Sequence, residues 1–196
     1  MKQELDEYLC NKYPKIFKDR NAPMTETCMC WGFDHGSGWF NIIDKLCANI
    51  QGHIDWSEKC FERDTEYNQM IEDCKSGNWV RFEEYYKGWN LDTVQKRRAE
   101  IVNEKHREVT KPCPQVVAEQ VKEKFGTLRF YYRGGDDYID GVVSMAESMS
   151  AVTCDVCSGP AKTGGQGWIT TRCESCKEQL EKQRAEELRE YNEKHS

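Results

Sequence analysis

Four cysteines constrain this chain more than any other feature. The stretch CDVCSGPAKTGGQGWITTRCESC, from Cys154 to Cys176, has the spacing Cys-x2-Cys-x15-Cys-x2-Cys. Each Cys-x2-Cys pair makes a tight turn that presents two sulfurs to one point, and a tetrahedral Zn2+ takes four such ligands at about 2.3 Å. The residues between the pairs include Gly159, Gly164, Gly165 and Gly167. That is enough turn-forming glycine for a hairpin that brings the second pair back to the first. The spacing predicts one structural Zn2+ on Cys154, Cys157, Cys173 and Cys176. The alternative is a set of redox or structural thiols without metal. The large apolar residues nearby are few, namely Val152, Val156, Trp168 and Ile169. A segment this poor in apolar side chains cannot build its own core, whereas a structural zinc site supplies roughly 10–16 kcal/mol. With cysteine at all four positions, no coordination position is left for a reactive water. The expected role is architectural rather than catalytic.

The chain holds eleven cysteines in 196 residues. The count is odd, and the opening MKQELDEYLCNKYPKIF carries charges where an export signal needs an apolar core. Thiols and metal are therefore expected rather than disulfides, in a chain that stays in the cytosol. No run of about eighteen apolar residues is present, which excludes a helical membrane span. A second cluster, Cys28-Met29-Cys30 with Asp34-His35, imitates a metal site. On a short strand around 29–33, however, Cys28 and Cys30 share a face without a knuckle turn, so packing is the expected role.

The remaining pattern predicts an α+β fold. It has a small mixed core over 1–150, a helical excursion at 57–110, and a zinc-ribbon-like module with a C-terminal helix over 151–196. Helices are expected at 3–17, 39–54, 57–74, 92–108, 115–125 and 138–150, and from about 174 onward. A short element is expected at 79–87. Gly126 reads as the C-cap of the 115–125 helix. TLRFYYR, Thr127 to Arg133, is the clearest strand. Alternation puts Leu128, Phe130 and Tyr132 on one face and Arg129, Tyr131 and Arg133 on the other.

That second face, extended by Lys124, offers cations and aromatic rings, the tools used on phosphates and bases. Its bland reading is an exposed sheet face whose arginines pair with nearby glutamates. RGGDDYI, Arg133 to Ile139, superficially resembles acidic metal-binding turns of diguanylate cyclases and polymerases. A glycine turn followed by a helix N-cap accounts for it fully. The four histidines, His35, His53, His106 and His195, form no recognisable acid–base or nucleophile pattern. The net charge is −6 and basic residues concentrate in no segment, which argues against nonspecific coating of DNA.

Three segments taken together carry a resemblance: YPKIFKDRNAPMTETCMCWGFDHGSGWFNIIDKLC, VKEKFGTLRFYYRGGDD and the four-cysteine module. They resemble a group of uncharacterised accessory proteins of tailed bacteriophages and prophages, over about residues 13–56 and 112–176. The resemblance implies a context, the host bacterial cytosol, and transfers no functional residue. The expectation is a non-catalytic, zinc-stabilised protein that binds a macromolecular partner, such as host machinery or a host defence component. The alternative is a binder of nucleic acid or nucleotide that uses Lys124, Arg129, Tyr131 and Arg133 together with the zinc module.

Overall fold

A computed structural model describes residues 1–165 and 167–195. The fold is α+β, and the chain divides into two compact units, Met1–Gly52 with Pro114–Ser196, and His53–Cys113.

The first unit opens with helix α1, Gln3–Lys12. The helix expected over 3–17 stops short because Pro14 pushes the residue before it out of helical backbone. Tyr13 accordingly sits at φ −124°, ψ 59°. The Tyr13 hydroxyl and the Lys12 ammonium both donate to the Asp44 carboxylate, at 2.9 and 2.6 Å. Residues 28–31, expected to begin a strand, form a 3-10 turn instead. The Thr27 hydroxyl caps this turn by accepting from the Met29 amide. Strand β1 is only Phe33–Asp34.

The sheet has the order β1-β2-β3, with β1 parallel to β2 and β2 antiparallel to β3. Strand β3 is Thr127–Arg133, and its Leu128 and Phe130 are buried as the alternation required. Strand β2, Val117–Lys124, corrects the helix expected at 115–125. The reason is a bulge between Ala118 and Gln120. An extra residue breaks the period of two, so the buried Val117, Ala118 and Val121 fall at a spacing that imitates a helix face. Gly126 is therefore no helix cap. It is the second residue of the two-residue β2–β3 turn, with Phe125 at φ 54° and Gly126 at φ 80°, the positive angles such a hairpin turn needs.

Helix α5, Asp137–Ser150, is capped by the Asp136 side chain, which accepts from the Ile139 amide. It shields the exposed edge of β3. The Leu128 and Phe130 amides donate to Ser150 Oγ at 2.8 Å and Glu147 Oε1 at 3.0 Å. Edge amides satisfied in this way cannot recruit another strand. The unit ends with the hairpin β4–β5, Lys162–Gly164 and Thr170–Arg172, and with helix α6, Glu174–His195.

Helix α2, Phe40–Lys75, is one continuous element where two helices were expected. No new helix starts at 57: the Ser57 hydroxyl bonds back to the Ile54 carbonyl within the continuing helix, at 2.8 Å. Beyond Gly52, α2 enters the second unit. There Tyr67, Met70, Ile71, Cys74, Phe82, Tyr86 and Ile101 form a buried cluster. It is completed by α3, Val80–Tyr85, and α4, Leu91–Glu100. Asn90 caps α4, accepting from the Asp92 and Thr93 amides. The helix expected to reach 108 ends in a 3-10 turn at Ile101–Asn103. Arg97 donates to the Tyr67 hydroxyl and to Glu104, both at 2.8 Å. Burial and Glu104 together push the Tyr67 hydroxyl up to about 12.

Candidate metal centre

Two local turns build the cluster. In the first, the Cys154 amide donates to the Gly159 carbonyl at 2.8 Å, and the Ser158 amide donates to the Cys154 carbonyl at 3.1 Å. In the second, the Lys177 amide donates to the Cys173 carbonyl. Cys176 lies in the first turn of α6, and Cys173 stands just before it, where free amides and the helix dipole favour thiolate. The hairpin β4–β5 carries the chain from one turn to the other.

The four sulfurs of Cys154, Cys157, Cys173 and Cys176 lie within 4.8 Å of one another. Cys157 Sγ and Cys173 Sγ are 3.6 Å apart. A tetrahedron with metal–sulfur bonds of about 2.3 Å has edges of about 3.8 Å, so the donors fit a zinc-sized ion. Their acidities are uneven. The Ser175 hydroxyl and the Cys176 amide lower the Cys173 thiol to about 6. Burial, then the neighbouring thiols, push Cys176 up to about 12. Four thiols at this separation cannot all ionise without a cation between them.

The cluster is anchored in the sheet unit by the loop around Gly36–Trp39. Gly36 and Gly38 lie flat against the first turn. A Cβ on Gly36 would stand 2.0 Å from the Asp155 carbonyl oxygen, and one on Gly38 2.2 Å from that of Cys154. The Gly38 amide donates to the Asp155 carbonyl at 2.7 Å. The Ser158 hydroxyl donates to the Gly38 carbonyl at 2.7 Å, and Trp39 Nε1 donates to the Thr153 carbonyl at 2.8 Å. The buried Asp155 carboxylate receives Arg172 through two nitrogens, at 3.0 and 3.2 Å. The signal for this latch was present as Gly-Ser-Gly-Trp, but its partner lies more than a hundred residues away.

His35 opens this loop and is buried. Its Nδ1 lies 2.7 Å from the Gly36 carbonyl, and its Nε2 is buried without a hydrogen-bond partner. Burial lowers its pKa to about 4. Cys30 donates to the Thr27 carbonyl at 3.2 Å. Among the described residues, Cys28, Cys30 and His35 are not gathered into a set of metal ligands.

The structure places Lys124, Arg129, Tyr131 and Arg133 on one face of the β2–β3 hairpin. Arg129 pairs with Glu147 at 3.4 Å, and Arg133 pairs with Asp19 and Glu119. Lys124 reaches over the Phe125 ring. In RGGDDYI, Gly134 and Gly135 turn the chain at φ 81° and 84° ahead of the Asp136 cap. Among the described residues, no helix is long and apolar enough to cross a membrane. No protein-family model, curated protein or solved structure matches the chain.

Proposed function

We propose that this is a non-catalytic binding protein in which a structural Zn2+ on Cys154, Cys157, Cys173 and Cys176 holds a rigid surface for a macromolecular partner. One observation carries the reading. The four-sulfur cage is bolted to the sheet unit through Gly38, Trp39, Ser158 and Thr171, so ordering the cage orders the surface around it. Four thiolates saturate tetrahedral zinc and leave the metal a scaffold. A host or phage protein, met in the bacterial cytosol, is the partner that the sequence resemblance implies. Nucleic acid is the second candidate, favoured by cations on the β2–β3 face.

The test is purification of the tagged full-length protein from cells, with and without nuclease treatment, combined with elemental analysis. One zinc per chain is expected, together with a partner that is retained by wild type and lost from Cys173→Ser. Multiple turnover of a nucleotide or nucleic acid by the pure protein would sink the non-catalytic reading. Absence of zinc from protein prepared without chelator would sink the scaffold.

A further inference from the structure

Two hairpin tips that are distant in sequence meet at Gly126. A Cβ there would lie 2.8 Å from Thr163 Cγ2 and 3.0 Å from Ile169 Cγ2, and the Thr171 hydroxyl donates to the Gly126 carbonyl. Phe125 precedes Gly126 and Trp168 precedes Ile169, so one exposed aromatic flanks the contact on each side. Phe125 is 69% exposed and Trp168 77% exposed. Phe125 holds this position at φ 54°, in the left-handed region that bulky side chains avoid. A turn serving the fold alone would place Asn or Gly there.

The charge beside the tip is mixed: the Glu123 carboxylate accepts from the Gly126 amide at the turn, and lysines stand on the strand face behind it. On the strand face that runs back from it, Lys122 stands directly across from Arg129, and Lys124 across from Thr127. Like charges facing each other across a ladder are unfavourable unless an anion offsets them. Glu147 meets Arg129, whereas Lys122 and Lys124 pair with no carboxylate among the described residues. Tyr131, 40% exposed, continues the same face.

Exposed rings for stacking beside unpaired cations are the equipment of single-strand binding, so we propose that a single-stranded nucleic acid lies across the two tips, its bases on Phe125 and Trp168 and its phosphates on Lys122 and Lys124. This rests on the binding-protein reading above and names its partner class. A duplex would hide the base faces that the rings need.

The test is fluorescence anisotropy of the zinc-loaded full-length protein with labelled oligothymidylate, oligouridylate and a duplex of matching length, at several salt concentrations. Single strands are expected to bind and the duplex to bind more weakly. The ratio of the two single-strand affinities tells whether DNA or RNA is the natural form. Phe125→Gly suits the turn's backbone, so it should leave the thermal midpoint unlowered while weakening binding about 5- to 100-fold. Trp168→Ala should weaken it similarly. The double change Lys122→Gln, Lys124→Gln should flatten the log–log salt dependence by about 1.4. Absence of single-strand binding at low salt with zinc intact overturns the inference, and so does binding indifferent to both aromatic changes. If a nuclease-resistant protein partner is still retained by wild type, only this inference falls. If neither nucleic acid nor protein is retained, the binding-protein reading falls with it.

Discussion

The second unit and the four-cysteine module are both small, yet they are held together by different physics. The second unit buries Tyr67, Met70, Ile71, Phe82, Tyr86 and Ile101 against one another. Its aromatic rings pack edge-to-face and tilted, with Phe82 at 5.5 Å from Trp79 and 4.6 Å from Tyr86. The module leaves Val152, Val156 and Trp168 exposed and buries Cys154, Asp155, Thr171 and Cys176 instead. Apolar area removed from water stabilises the first. In the second, four converging sulfurs and a hydrogen-bonded latch stand in place of a core. A short segment can therefore do without a core only where its ligands converge.

Cys173→Ser should break the comparison most severely. Under the proposed function it removes one of four zinc ligands, worth a large share of the roughly 10–16 kcal/mol that a structural zinc supplies. The expected result is loss of zinc and of amide protection over 151–176, with protection around Ile71 and Phe82 retained. Segment-resolved hydrogen exchange with elemental analysis checks this. Equal loss in both regions would mean that the two are not separately held.

The converse change is Phe82→Ala. Truncating a fully buried phenylalanine costs about 3–5 kcal/mol. Denaturant unfolding should report that loss while zinc stoichiometry stays at wild type. A variant that also sheds its metal would erase the distinction.

A smaller effect sharpens the role of the latch. His35 is neutral in the folded state, with its pKa lowered from 6.5 to about 4. Between those values the unfolded chain binds the extra proton, so stability is full above about pH 6.5 and falls as the pH drops toward 4. The loss approaches roughly 3 kcal/mol at the lower end. His35→Asn keeps a group that can donate to the Gly36 carbonyl but does not titrate. Unfolding midpoints of wild type and variant should converge as the pH falls from 7 to 4.5, with acid-induced metal release common to both. A constant difference across that range would show that His35 does not titrate in the fold.

Legibility in the sequence followed the range of the interactions. The α+β class, TLRFYYR as a strand, the glycine turn and helix N-cap after it, and the convergence of four cysteines could all be read, because each depends on residues a few positions apart. The continuous α2 and the strand at 117–124 could not. Gly52 and Ser57 look like helix ends until the neighbouring turns are seen to continue through them.

The sequence by itself determined the candidate ligand set, because a knuckle turn needs only its own backbone and the order Cys-x2-Cys. It also determined the inward face of β3, because alternation is a property of any extended chain. Tertiary structure alone decided that 117–124 is a strand. The bulge at 118–120 disguises its period, and only the ladders to β1 and β3 satisfy its amides and carbonyls. It alone decided the purpose of Gly36 and Gly38, whose missing side chains make room for the carbonyls of Cys154 and Asp155. And it alone brought Gly126 beside Thr163 and Ile169. Close approach between segments so far apart depends on the whole fold, and no local pattern encodes it.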